Sequence, residues 1–220
     1  SNLSIRSRAG PRSQPLVVGF VVGSGDANNA KAVLLRGAGP ALVPFGVTDV
    51  LPDPRIELYR GPLRLAENDD WAGDAIVAAR SAAVGAFAFG NPMSPDAALY
   101  RELESAGPYT LQVSGEDASS GAVLAEIYDA TADESFGLQT RRLVNVSARA
   151  DVGNGGSPLI AGFTISGRNG KRVLIRAIGP TLATFGVAGS LPDPKLELYD
   201  GAGRKLAEND TWGSTLALVS

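Results

Sequence analysis

The chain has 220 residues, 44% of them hydrophobic and 20% charged, and carries a formal net charge of −3. That composition is globular, leaves room for one large domain or for one domain and part of another, and gives no electrostatic reason to expect nucleic acid or anionic lipid as a partner. Because there is neither Cys nor His, disulfide staples, thiolate nucleophiles, His-based triads and most zinc or copper sites are excluded.

From the N-terminus, Arg6, Arg8 and Arg12 read as the solvated face of a strand, and Pro15–Val22 as a second strand. Val33-Leu34-Leu35 is a short continuous apolar run, as expected of a central strand buried on both sides. Gly39-Pro40 marks a turn or bulge, since Pro cannot donate to a ladder. Leu51-Pro52-Asp53-Pro54 is a stiff connector. A hairpin follows, with Ile56, Leu58 and Leu65 expected to face inward around Arg60-Gly61-Pro62. Asp74–Ala83 is Ala-rich with Asp74 placed to cap it, so a short helix is predicted there, ending before Gly85 and covering one open end of the sheets. Tyr109–Ser114 alternates apolar and polar, Gly115–Gly121 is turn material and Val123–Tyr128 returns, which predicts another hairpin. Many short strands between turns point to an all-β, jelly-roll-like antiparallel β-sandwich with one short helix; a closed barrel is the alternative.

The chain also repeats itself. Residues 32–59 return at 172–199 without a gap, and 16 of those 28 positions are identical. Leu3–Arg8 corresponds to Val144–Arg149, and Pro15–Val22 to Pro158–Ile165. Leu65-Ala66-Glu67-Asn68-Asp69 reappears as Leu206-Ala207-Glu208-Asn209-Asp210, and Trp71 as Trp212. Such self-similarity is the mark of one structural unit used more than once. The expected division is a complete repeat at 1–141 and a partial second copy at 142–220, Val173-Leu174-Ile175 being a second buried strand. The pattern stops within the second copy, so a longer parent protein is expected, with any export signal upstream. Strands of the second copy would pack on the first, or a neighbouring chain would supply the missing half by strand donation.

Asp53, Asn68, Asp69 and Asp70, with Glu67, gather at the two ends of the first hairpin. Asp193, Asn209 and Asp210, with Glu208, do so in the second, where Thr211 replaces Asp70. Carboxylate and amide oxygens of this kind suit calcium, which takes about six to eight hard oxygen ligands; the competing reading is that Asn68 and Asp69 make Asx-turn bonds that end the strand. Trp71 and Trp212 read as packed edge residues rather than sugar platforms, each indole finding an acceptor. Arg36 and Arg176 end apolar strands and are expected to pair with Glu57 or Asp53, and with Glu197 or Asp193. Glu57 and Glu67 are the carboxylates a glycoside-processing reading would use, but they sit on hairpin strands. Gly23-Ser24-Gly25-Asp26 lacks the Lys and helix of a phosphate loop. The chain is therefore expected not to be an enzyme. Asn-x-Ser/Thr triplets occur at Asn2, Asn145 and Asn209, and matter only on a glycosylating route. No apolar run nears the roughly 20 residues that span a bilayer.

Leu198–Asp210 together with Gly107–Gly115 resembles bacterial pre-peptidase C-terminal domains. The whole repeat, with Arg-x-x-Gly-Pro, Phe-Gly-Val, Asp-Pro and Asn-Asp-x-Trp, is similar to tandem modules of large exported bacterial proteins. The first resemblance implies a secreted jelly-roll sandwich, in some members calcium-dependent or binding collagen or polysaccharide. Together they imply an extracellular or cell-surface location, no membrane insertion, and structural or adhesive work alongside neighbouring repeats or identical chains. A calcium-assisted carbohydrate- or matrix-binding module is the alternative role.

Overall fold

A computed structural model describes residues 2–25, 30–132, 136–137, 139–152, 158–165 and 170–211. Two compact units divide the chain, Ser1–Gly167 and Arg168–Ser220. The break therefore falls beyond the sequence repeat boundary at 141/142, and the first two strands of the second copy belong to the first unit.

The described residues of the first unit hold ten strands: β1 (Asn2–Ala9), β2 (Leu16–Val22), β3 (Lys31–Ala38), β4 (Pro54–Arg60), β5 (Leu63–Asn68), β6 (Ala97–Leu103), β7 (Gly107–Gly115), β8 (Gly121–Asp129), β9 (Leu143–Arg149) and β10 (Ile160–Phe163). They form two antiparallel five-stranded sheets, ordered β10-β1-β8-β3-β6 and β5-β4-β7-β2-β9. The first eight strands alone run 1-8-3-6 in one sheet and 5-4-7-2 in the other, the order of an eight-stranded jelly roll. Every connection from β1 to β10 crosses to the other sheet except the β4–β5 hairpin.

That order corrects one expectation. β7 and β8 are consecutive and antiparallel-looking in sequence, but they do not pair. β7 lies between β2 and β4, and β8 between β1 and β3. Gly115–Gly121 thus arches from sheet to sheet. A Cβ at Gly121 would come within 2.4 Å of the Val50–Leu51 backbone, so the arch closes against the connector only with glycine there.

The inner faces meet in one core. Leu3, Ile5, Val33, Leu35, Val123 and Ile127 from one sheet pack against Leu16, Val18, Phe20, Ile56, Leu58, Leu111 and Val113 from the other. Alternation puts these side chains on one face of each strand. β3 is apolar without alternation because its other face is also covered. Leu34 and Ala38 point outward into a second cluster with Leu42, Val77, Phe89, Ala98 and Tyr128. Burying such side chains is worth roughly 25 cal/mol per Å² of apolar area.

The helix α1 (Ala75–Ala83) forms as its composition predicts, with the Asp74 carboxylate accepting from the amides of Ile76 and Val77 at 2.7 and 3.0 Å. It covers the outer face of the β3–β6 sheet through Val77, not an open end of the sandwich. Gly39-Pro40 opens a 3-10 helix, Pro40–Phe45, rather than a simple turn or bulge. A Cβ on Gly39 would lie 2.1 Å from the Leu51 carbonyl oxygen, and its own amide donates to Asp96 at 2.7 Å. In the β4–β5 hairpin Ile56 and Leu58 are fully buried, but Leu65 is exposed. The register shifts between Leu58 and Tyr59. That bulge makes Leu65 the extra residue and turns Ala66 inward opposite Leu58.

The second unit repeats the connector and hairpin. A 3-10 helix spans Pro180–Phe185, and β11 (Leu196–Tyr199) pairs with β12 (Lys205–Asn209). Gly179 has φ −118° and ψ −86°, against −116° and −80° at Gly39. Gly186 is left-handed with φ 76°, as Gly46 is with 78°. Residues 171–178, the counterpart of β3, are not a strand. Val173, Leu174 and Ile175 are 51%, 84% and 39% exposed, whereas Val33, Leu34 and Leu35 are fully buried. The expectation of a second buried strand is corrected: a strand this apolar needs partners on both edges and both faces, and the second unit provides none of them among its described residues. Among all the described residues no helix is long and apolar enough to cross a membrane.

Candidate functional site

Two regions carry functional weight: the acidic end of the β4–β5 hairpin and the seam where the second copy meets the first.

At the hairpin end the sequence-picked residues do come near one another. Asp53 is partly buried, and its carboxyl is raised by burial and by the nearby Asp117, Asp70, Asp69 and Glu116. The centre of the group is occupied by Arg55. Its guanidinium bonds Glu67 and, at 3.1 Å, Glu116, and lies 3.6 Å from Asp69. Burial opposes the Arg55 charge, but the hydrogen bonds to Glu67 and Glu116 outweigh it and raise its pKa. Arg12 adds a second cation on Glu116 at 3.0 Å, and that hydrogen bond is the main reason the Glu116 carboxyl is lowered. Asn68 spends its amide on structure: Nδ2 donates to the Asp70 carbonyl at 2.7 Å and Oδ1 accepts from the Ala98 amide at 2.8 Å. Asp70 faces solvent, and Asp69 is half-buried beside Arg55. Among the described residues no set of three or more carboxylates is placed to hold a metal ion.

The second hairpin reproduces the pattern with lysines for arginines. Lys195 lies 3.0 Å from Glu197 and 3.4 Å from Glu208, and Lys205 lies 2.6 Å from Glu208. The Lys195 hydrogen bond, with help from Tyr199, lowers the Glu197 carboxyl to about 2. Asp193 and Asp210 are exposed, and Asn209 donates to the Thr211 carbonyl at 3.0 Å. Trp212 lies outside the described residues. Trp71 packs edge-on against Phe89, with ring centroids 5.7 Å apart, and its indole N–H donates to the Asn91 carbonyl at 3.1 Å.

The arginine pairing differs from expectation. Arg36 meets Glu126 on β8, with Nε 3.4 Å from Oε2, and not Glu57 or Asp53. Glu57 is bonded instead by Arg64 at 2.7 Å. Arg36 is 1% exposed and its guanidinium lies 4.1 Å from the Phe89 ring centroid and 4.5 Å from that of Phe87. Burial lowers the Arg36 pKa and raises that of Glu126; the opposite partner charge resists both shifts. Tyr128 donates to the other Glu126 oxygen at 2.6 Å. Near the other end of β3, the fully buried Lys31 sits 2.5 Å from Asp129 and 2.9 Å from the Thr131 hydroxyl. Neither Glu126 nor Asp129 stood out in the sequence. The clue was available as two carboxylates three residues apart on an otherwise apolar strand.

At the seam, β10 pairs with β1 and β9 pairs with β2. The second copy's first two strands thereby extend the two sheets of the first copy, one strand each, and do so crosswise: the counterpart of β2 joins β1, and the counterpart of β1 joins β2. Gly19 and Gly162, equivalent positions in mid-strand, each face a serine across the seam. A Cβ at Gly19 would come 2.7 Å from Ser147 Oγ, and one at Gly162 2.9 Å from Ser4 Oγ. Mid-strand glycine marks close approach, so these two positions were the readable trace of the seam. Val146 and Ala148 on β9 pack against the main core. A shallow groove of about 390 Å³ beside Ile160 is apolar apart from Arg6 and holds no carboxylate.

No protein-family model, curated protein or solved structure matches the chain.

Proposed function

We infer that this chain is a non-catalytic structural module of an exported surface or extracellular protein, in which successive repeats join by sharing their sheets. The observation that carries this reading is the seam: the strands that open the second copy are the fifth strands of both sheets of the first. Copies joined in this way are fused through backbone ladders and a common core, not strung on a linker. Stability in such an array becomes a sum of unit and neighbour terms, and stiffness follows from the shared sheets. The acidic hairpin ends fit the same role. Glu57, Glu67, Glu197 and Glu208 are matched by Arg55, Arg64, Lys195 and Lys205, which leaves a polar outer face.

The test is a chain of several head-to-tail copies of residues 2–141. The reading expects one stiff rod by electron microscopy or small-angle scattering, with stability rising as copies are added. Flexibly linked beads that melt independently at the single-copy temperature would refute it.

A further inference from the structure

The second unit carries one half of a contact that is complete in the first copy. In the first copy β3 is held by β8 in the register Leu34–Tyr128, Leu35–Ile127 and Arg36–Glu126. Two buried ion pairs pin that register from opposite faces of the sheet. Arg36–Glu126 lies on the outer face with Leu34 and Tyr128, and Lys31–Asp129 lies at the margin of the inner core. Residues 171–178 keep both cations, as Lys171 and Arg176, together with Val173, Leu174 and Ile175 between them. All five side chains are exposed.

The packing residues beneath have changed together. A Cβ at Gly37 would strike Cγ2 of Ile56 at 2.7 Å. In the second copy Gly37 is replaced by Ala177 and Ile56 by Leu196. Leucine lacks the β-branch methyl that is the nearest obstacle to a Cβ at this position, the next being Cγ1 of Val113 at 3.3 Å. That exchange matters only if 171–178 lies over β11 as a strand, as β3 lies over β4.

We propose that residues 171–178 are a docking site for a β8-type strand: an apolar strand carrying a glutamate and, three residues later, an aspartate, which pair with Arg176 and Lys171. The incoming strand sets tyrosine opposite Leu174, isoleucine opposite Ile175 and glutamate opposite Arg176. A one-residue slip would turn both carboxylates to the wrong faces, so the charges select the register as well as the partner. The inference rests on the sheet-sharing reading and names the strand that continues it.

The test adds a fluorescent synthetic peptide with the sequence of residues 119–131 to the full chain. Saturable binding is expected, with new hydrogen-exchange protection confined to 171–178. Arg176→Glu, an exposed position whose change leaves the fold intact, should weaken binding on the order of a hundredfold. Replacing the peptide's glutamate by arginine should restore part of that loss on the Arg176→Glu chain. Absence of binding, binding indifferent to these charges, or protection at another segment would overturn the proposal. A cross-link across the β1–β10 seam, made in the same chain, separates the two levels. If the seam forms and the peptide does not bind, only this inference fails; if the seam does not form, the underlying reading fails.

Discussion

Residues 33–36 and 173–176 read Val-Leu-Leu-Arg and Val-Leu-Ile-Arg, yet the first is the most buried strand of its sandwich and the second is exposed and irregular. The 3-10 helix and hairpin that follow are nearly superimposable in kind in the two copies. The contrast separates what a segment dictates for itself from what neighbours impose. The Gly-Pro helix is local: Pro supplies φ, Gly supplies an approach no Cβ allows, and the result recurs without its surroundings. The apolar strand is not local. Its ladder bonds and burial come from β6, β8 and the opposing sheet.

The sharpest way to break that comparison is to remove one half of a buried ion pair. Glu126→Gln leaves Arg36 charged and enclosed, and should cost about 3–5 kcal/mol in denaturant unfolding, while Arg176→Met should stay within about 0.5 kcal/mol. Next comes the core itself. Leu34→Ala should cost about 2–5 kcal/mol and Leu174→Ala no more than about 0.5 kcal/mol. Equal losses in either pair of variants would mean that the two segments share one environment.

Where structure is local the copies should instead behave alike. Gly39→Ala and Gly179→Ala each push a methyl into a carbonyl oxygen, at 2.1 and 2.0 Å. Each should cost about 1–3 kcal/mol of local strain and speed hydrogen exchange at its own helix amide, Leu42 or Leu182.

The smallest effects concern pH, and they have opposite signs. The folded pKa of Glu197 is lowered to about 2 from 4.5. Its contribution is therefore present above pH 4.5 and is lost as pH falls toward 2. The folded pKa of Glu126 is raised by burial, so its contribution is present below the unfolded value and lost as pH rises through the folded one. Carboxyl NMR titration would read both directions, and salt should alter only Glu197, whose surroundings are solvent. At the acidic turn, Arg55 already fills the space between Glu67, Asp69 and Glu116, so calcium should leave the melting temperature unchanged.

The sandwich class, the Asp74-capped helix and the first hairpin were legible because alternation, capping and turn chemistry are written locally. Leu65 was misplaced because a bulge changes parity without changing composition. The β7–β8 arch passed for a hairpin because two alternating strands joined by a turn look the same whether they pair or cross between sheets. Arg36 was expected to pair with nearby Glu57 or Asp53, whereas its partner Glu126 is 90 positions away in sequence; nothing short-range connects them. The seam left only Gly19 and Gly162 as a trace, and two mid-strand glycines acquire meaning only when each is found opposite a serine.

The most direct test of sheet sharing is a designed disulfide across the seam. The chain has no cysteine, so Arg6→Cys with Ile160→Cys, which are paired residues on β1 and β10, introduces the only two thiols. Oxidation of the monomer should give complete intramolecular cross-linking, with a 6–160 link in the peptide map and a raised melting temperature. Thiols that remain free, or that link only between chains, would contradict it.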